Sequence, residues 1–533
     1  MSASKKGNLA FVIILLAYLV YAGMFILRSS FVVGGERYFV LFDDAMISMR
    51  YAENLADGYG PVWNPGGERV EGYTNPLWMV WMALFHLLPV PASKVSLLVQ
   101  ISGAIFMLGG LFYLRKIALE VTKNELVGLL AVLLTAFYMP LVNWTLLGME
   151  VSLLVLLVNA SAYLLLRAWR AKRFSVWPYL LLGLGTLVRL DMAVPFLFSI
   201  GFMAWVDPGN RRKHLLWGLG LLAGLLGVQT LYRIWYYHDP LPNTYYLKVS
   251  GYSMFLRIAR GLYALYTFIW SSNWVLLLLP FTLFIFRRDP EMFFLFGLVL
   301  AQAAYSAYVG GDAWEHRGGS NRYLSIAIPI FFLLFSYAVS TLINALASFL
   351  KGSPRRIAAW SSVVLVLFTI FSMVNFNYLL GKNKSLERWL LIAQPMFSQG
   401  NQEYVEIAVD LEKITTPEAQ IAVVAAGTTP YFTKRPAIDL LGKSDRVIAH
   451  QKAHNVGSWT NLEEFRPGHT KWDYDYSIGQ LKPDVIVQLW GDTRPAEPYL
   501  EQDYVTGGSG SGLVFYLRKD STAILWDRVQ LSQ

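Results

Sequence analysis

The chain has 533 residues, of which 55% are hydrophobic and only 15% charged, and it carries no cysteine. A soluble chain of this size carries roughly 25% charged residues, so the composition excludes an ordinary soluble enzyme, and the missing cysteines exclude disulfides and thiolate chemistry. The formal charge of +9 is no nucleic-acid signature here, because the Lys and Arg of a membrane protein gather in the loops that fix its orientation.

In chain order, residues 8–28 form the first apolar run, preceded by Lys5 and Lys6. It is long for a signal peptide and no convincing cleavage site follows, so it reads as a retained anchor with a cytoplasmic N-terminus. Pro76 to Pro89 is apolar over only about 14 residues, which suits an interfacial or re-entrant helix. With that segment on the outer surface, further spans fall near 95–114, 126–143, 149–168, 174–190, 192–206, 213–233, 271–286, 290–309, 323–346 and 357–377, about eleven in all with the first. The clusters at Arg115/Lys116/Lys123, Arg167/Arg170/Lys172/Arg173, Arg211/Arg212/Lys213, Arg287/Arg288 and Lys351/Arg355/Arg356 then all lie inside. Counting 76–89 as a span moves the next three of them outside. Residues 253–270 read as an amphipathic helix at the interface, and 174–190 with 192–206 as a short, tilted pair parted by Asp191.

Polar residues become frequent after residue 380. Short β-like runs at Ile421 to Ala425, Val485 to Leu489 and Gly512 to Leu517 alternate with a helical pattern at Glu403 to Lys413, enough for one small α/β domain. Gly507 to Gly512 reads as a turn or flexible loop. The expected architecture is a polytopic α-helical membrane module over 1–379, with a first outer loop at 29–94, and a soluble extracytoplasmic α/β domain over 380–533.

This topology puts the unusual polar residues on the outer side: Asp43 and Asp44; Glu71, Tyr73 and Asn75; Glu150; Arg189 and Asp191; Lys248; Asp312, His316, Arg317 and Arg322; and, in the last domain, His469 and Lys471. Ionisable groups at span ends are costly to desolvate and mark a site. Sugar transfer from a lipid phosphate to a hydroxyl needs a carboxylate as base or oxocarbenium stabiliser, a part open to Asp43 or Asp44. It also needs cations on the departing phosphate, a part open to Arg189, Lys248, Arg317 and Arg322. Each has a plainer reading. Asp43-Asp44 can cap a helix, Glu150 and Arg189/Asp191 can be structural ion pairs, Lys248 an interfacial anchor and Gly310-Gly311-Asp312 a turn. Trp472-Asp473-Tyr474-Asp475 has the spacing of a nucleotide-sugar metal motif, but such triplets arise by chance on polar segments. Asp43/Asp44 with Asp312, His316 or His469 leaves a divalent cation open as cofactor; the metal assignment is unknown.

The series Phe42-Asp43-Asp44-Ala45-Met46-Ile47-Ser48-Met49-Arg50-Tyr51, Gly58-Tyr59-Gly60, Trp63-Asn64-Pro65-Gly66 and Glu71-Gly72-Tyr73-Thr74-Asn75-Pro76 resembles the first outer loop of GT-C fold glycosyltransferases. It is most similar there to the polyprenyl-phosphate arabinofuranosyltransferases of mycobacterial cell-wall synthesis and their broader bacterial relatives. Gly148-Met149-Glu150, Gly310-Gly311-Asp312, Asp439-Leu440-Leu441-Gly442 and Pro467-Gly468-His469-Thr470-Lys471 resemble further motifs of that family, whereas Arg189-Leu190-Asp191 departs from its Arg-Pro-Asp. The resemblance implies a bacterial inner-membrane transferase that takes an isoprenoid-phosphate sugar, arabinofuranose or another pentose or hexose. Its acceptor is a cell-envelope glycan, lipid or protein on the outer face, and its partners include the bilayer but no nucleic acid. It also ranks Asp43 ahead of Asp44 as the catalytic carboxylate. The alternative is a lipid-linked saccharide flippase, which is expected to show repeated halves with broken helices and mid-membrane polar groups; this chain shows no internal repeat.

Overall fold

The structure is a computed structural model that describes residues 3–315, 321–350, 352–378, 384–454, 456 and 461–532. It forms two compact units, each discontinuous in sequence. The first comprises Met1–Leu27, Ile101–Val228 and Arg257–Pro395; the second comprises Arg28–Gln100, Gln229–Leu256 and Met396–Gln533. Of the residues expected as a C-terminal domain, those from Met396 onward thus share a unit with the whole of the first loop and with Gln229–Leu256.

Among the described residues seven helices are long and apolar enough to cross a membrane: Lys5–Ser29, Ala92–Thr122, Val151–Arg170, Arg211–Tyr237, Pro290–Val309, Ile328–Ala347 and Pro354–Asn377. Two bent pairs raise the number to as many as nine. The remaining expected spans are the short helices Trp177–Val188 and Leu190–Val206, and Pro76–His86 is also short, as its sequence implied. The expected span at 126–143 is broken, with Glu125–Ala136 and Met139–Leu146 meeting at 59°. Pro140 opens the second piece, and a break in an apolar helix leaves backbone groups to satisfy. Asn377 does most of that, accepting from the Met139 N–H at 2.7 Å and donating to the Phe137 carbonyl at 3.0 Å, where Trp389 Nε1 also donates at 2.8 Å.

The expected span at 271–286 is likewise several short pieces around Pro280, bent by 109° from Met254–Ser271. That preceding helix, expected to be amphipathic and to lie at an interface, has an exposed apolar face and an inward polar one. Phe255, Leu262, Tyr266 and Trp270 are exposed, whereas Arg257 (3% exposed) and Arg260 (7%) point inward. The loop after Pro290–Val309 supplies the reason. Arg257 donates to the Tyr308 carbonyl (2.9 Å), and Arg260 to the Gly310 carbonyl (2.7 Å) and Glu315 (2.8 Å).

In the second unit a hairpin of β1 (Phe31–Val33) and β2 (Glu36–Tyr38) precedes the helix Asp43–Ala56. A six-stranded sheet follows later in the chain: β3 (Ile421–Val423), β4 (Ala437–Asp439), β5 (Val485–Ile486), β6 (Tyr504–Gly508), β7 (Phe515–Arg518) and β8 (Gln530–Leu531), in the order β4-β3-β5-β7-β6-β8. β4, β3 and β5 are parallel, and the rest are antiparallel. The runs expected as strands near 421, 485 and 515 are β3, β5 and β7. Gly507, expected in a loop, lies inside β6 and pairs with Phe515. The sheet's core gathers Ala422, Ile438, Leu440, Trp472, Tyr474, Ile478, Ile486 and Tyr504. Buried Arg50 ties the first loop to this region, donating to the carbonyls of Trp63 (2.6 Å), Arg435 (2.8 Å) and Pro430.

Candidate active site

Parallel strands present their carboxyl ends along one edge, where open α/β sheets place their ligands. β3 leads through Gly427 into the helix Thr428–Thr433, β4 ends at Asp439 and runs into the turn that carries Lys443, and β5 leads towards Trp490, whose indole donates to the His469 carbonyl at 3.0 Å. Asp43 and Asp44, in the first turn of their own helix, meet this edge. The Asp43 carboxylate accepts from the Thr428 N–H at 2.8 Å and the Gly427 N–H at 3.3 Å, and so satisfies amides that open the Thr428 helix. Gly427 is required by closeness, since a Cβ there would stand 2.1 Å from the Asp43 carbonyl oxygen and 2.8 Å from Met46 Cβ. Burial pushes the Asp43 carboxyl above its ordinary range, opposed by the Thr428 amide and Lys443. Asp44 forms an ion pair with Lys443.

Lys443 stands on a turn built around buried Asp439, whose carboxylate accepts the N–H groups of Leu441 (3.0 Å), Gly442 (3.1 Å) and Ser444 (2.7 Å). Burial alone lowers an ammonium pKa, yet Asp44 first, then Asp43 and Asp439, hold Lys443 above its ordinary value. His469 belongs to this group. Burial, then Lys443 and Lys248, push its imidazole down to about 3 against a partial rise from Asp44. The ring is therefore neutral near pH 7 when folded, while an unfolded His takes up a proton below pH ~6.5. The unfolded state binds more protons between those two values, so stability rises with pH through that window and is lost as pH falls from about 6.5 towards 3. The variant His469→Gln is expected to flatten that acid limb in thermal unfolding scans of the purified chain; an unchanged limb contradicts the assignment.

The other residues expected in this unit each meet a neighbour within it. Glu71 forms a two-pronged pair with Arg233 at 2.6 and 3.2 Å, the Tyr73 hydroxyl lies 2.8 Å from that of Tyr237, and Asn75 accepts from Ser48 at 2.8 Å. Lys471, expected to bind substrate, directs its ammonium at the carbonyls of Tyr246, Ser250 and Ala449.

In the first unit, Arg189 joins two acids: Asp191 at 2.6 and 2.7 Å and Glu150 at 3.0 Å. All three are buried, and the Tyr323 ring lies 5.0 Å from the guanidinium. Asp312 accepts from the Arg322 N–H (3.0 Å), Nε (2.9 Å) and Nη2 (3.0 Å). Gly310 and Gly311 before it both have positive φ, and a Cβ on Gly311 would stand 2.4 Å from Arg260. Arg189 and Arg322 were expected as phosphate ligands; each guanidinium here already faces carboxylates. His316 and Arg317 lie outside the described residues.

The sequence reading missed Lys443, Gly427, Arg233 and Arg260, and noted Asp439 and Asn243 only within longer stretches. The one local signal was Asp439-Leu440-Leu441-Gly442-Lys443, a capped turn followed by a cation. Among the described residues no three His, Asp or Glu side chains are grouped to hold a metal ion. Asp43 and Asp44 face backbone amides and an ammonium, a donor set unlike the six or more oxygens a hard divalent cation gathers.

A family model described as a domain of unknown function (DUF8728) matches residues 394–520. No curated protein matches the chain. Among solved structures it is similar to ArnT from Cupriavidus metallidurans bound to undecaprenyl phosphate, with 13% identity and a TM-score of 0.56 over 98% of this chain and 99% of that one. It is also similar to the apo state of that ArnT (12% identity, TM-score 0.47, 82% and 86% covered) and to the Archaeoglobus fulgidus oligosaccharyltransferase tethered with an acceptor peptide (13%, 0.48, 99% and 76%). The 0.56 match, over nearly the full length of both chains, is a likeness of fold. With the apolar helices and the mixed sheet, it makes this chain a polytopic α-helical membrane protein that shares the fold of that ArnT, with a C-terminal sheet-bearing region.

Proposed function

We propose that the chain is a membrane glycosyltransferase that moves a sugar from a polyprenyl-phosphate donor to a hydroxyl of an envelope glycan, lipid or protein. The observation that carries the reading is the Asp44–Lys443 pair at the carboxyl edge of the parallel strands, beside Lys248 and His469. It sits in a chain that shares its fold with an ArnT bound to undecaprenyl phosphate. Asp44 takes the proton of the acceptor hydroxyl as its oxygen bonds to the anomeric carbon. The bond from that carbon to the phosphate oxygen breaks, and the electron pair leaves on the polyprenyl phosphate. Lys443 and Lys248 receive the charge that develops there. Neutral His469 adds no competing charge. Asp43 fixes the pair against the Thr428 helix. The basic clusters of the span-connecting loops support a reading with the N-terminus in the cytoplasm and this edge outside a bacterial inner membrane. The sugar is a pentose or hexose, and the first-loop resemblance favours arabinofuranose.

The test is release of polyprenyl phosphate from a panel of polyprenyl-phosphate sugars by the purified chain with envelope acceptors. Turnover of one donor in the panel is the expected result. No turnover from any donor overturns the reading in favour of a lipid-linked saccharide transporter.

A further inference from the structure

The short helix Asn243–Lys248 is fastened at both ends to the stretch between β4 and β5. At its start, the buried Asn243 side-chain amide donates towards three carbonyls of the Lys443 turn: Gly442 at 2.8 Å, Lys443 at 3.0 Å and Asp445 at 3.1 Å. The Asn243 N–H donates to the Glu71 carbonyl at 3.2 Å. At its far end, the buried Lys471 ammonium reaches the carbonyls of Tyr246 (2.9 Å), Ser250 (3.3 Å) and Ala449 (2.9 Å). The Tyr252 hydroxyl adds a link, 2.6 Å from Thr470 Oγ1 and 3.1 Å from the Leu247 carbonyl. Turn carbonyls lack ladder partners, so a buried donor that gathers several of them sets the shape of the turn.

Each fastening borders a charged group of the candidate site. Asn243 grips the backbone of Lys443 itself. Lys471 follows His469 by two residues, and a Cβ on Gly468 would stand 3.1 Å from Lys248 Cε. We propose that Asn243 and Lys471 are positioning residues, a two-point clamp that fixes Lys443 and Lys248 relative to each other and to Asp44. The clamp rests on these contacts alone; the use of the two lysines as phosphate ligands rests on the glycosyl-transfer reading. Positioning of this kind matters because a misplacement of about 1 Å costs up to ~10²-fold in rate.

The experiment has two arms on the full-length chain in detergent. In the first, Lys443 and Lys471 are labelled competitively with acetic anhydride and followed by mass spectrometry. Asn243→Ala is expected to speed labelling of Lys443 about tenfold and to leave Lys471 unchanged. Asn243→Ser, which keeps one donor and serves if the alanine variant does not accumulate, is expected to fall between. Equal acceleration at both lysines, or none at Lys443, overturns the clamp. In the second arm, Asn243→Ala is expected to raise donor KM about tenfold in the native background and not further in Lys443→Ala; additive effects overturn the proposal. Selective labelling with no sugar transfer by the native chain leaves the clamp standing and sinks the transfer reading instead.

Discussion

Asp44→Asn is expected to lower sugar transfer by about 10²–10⁴-fold, the range a general base contributes, while the chain still folds, with a lowered unfolding temperature because the Lys443 ammonium loses its carboxylate. The amide keeps the size of the carboxylate and still meets Lys443, but it has no basicity for the acceptor proton. Asp43→Asn is expected to behave differently. Its carboxylate is held by the Thr428 and Gly427 amides, one on each oxygen, and an asparagine oxygen still accepts the shorter bond, from Thr428, as a helix cap. Transfer is expected to persist within about tenfold, and Asp43→Ala to cost about 0.5–2 kcal/mol of stability through loss of the cap. The first-loop resemblance ranks Asp43 ahead as the catalytic group; the hydrogen bonding ranks Asp44 ahead. Initial rates and thermal unfolding on both variants decide between them. Loss of transfer in Asp43→Asn with Asp44→Asn active would reverse the assignment.

Arg189→Ala is expected to be the most damaging single change in the first unit. The guanidinium neutralises Glu150 and Asp191 where all three are buried. Removing one partner of a buried ion network costs about 3–5 kcal/mol, because the charges left behind have no water to turn to. Against a total stability of about 5–15 kcal/mol, the variant is expected to accumulate poorly and to unfold many degrees lower in detergent. Combining Arg189→Met with Glu150→Gln and Asp191→Asn removes the stranded charges along with the cation and is expected to recover much of the loss. Thermal unfolding of the single and triple variants is the measurement. A single variant that unfolds normally but shows a raised donor KM would return Arg189 to the phosphate, as the sequence alone allowed.

The sequence was most legible where the chemistry is local. Runs of apolar residues dictated helices at every expected span, because an apolar environment leaves the backbone no partners but its own. Even so, Pro140 and Pro280 lie where two of those runs break, and the run gives no bend angle. Strands β3, β5 and β7 were visible as β-like runs, but β4, with Asp439 at its end, was not. The amphipathicity of Met254–Ser271 was legible, but not what its polar face meets. A moment does not say whether the surroundings of the polar face are water or a loop of carbonyls and Glu315.

At the candidate site the sequence by itself determined the adjacent carboxylates, the basic and acidic residues at helix ends, and the turn that precedes Lys443. Only the tertiary structure decided which charge meets which. Asp43 finds Thr428 across 385 positions and Asp44 finds Lys443 across 399. Separations of that length leave no pattern in the chain, because the pairing is set by the parallel strands that bring their carboxyl ends to one edge. The same holds for the arginines. Glu150 and Arg189 are 39 residues apart, and only packing shows that they neutralise each other. A buried charge takes the nearest opposite charge because leaving it unpaired costs more than any local preference supplies.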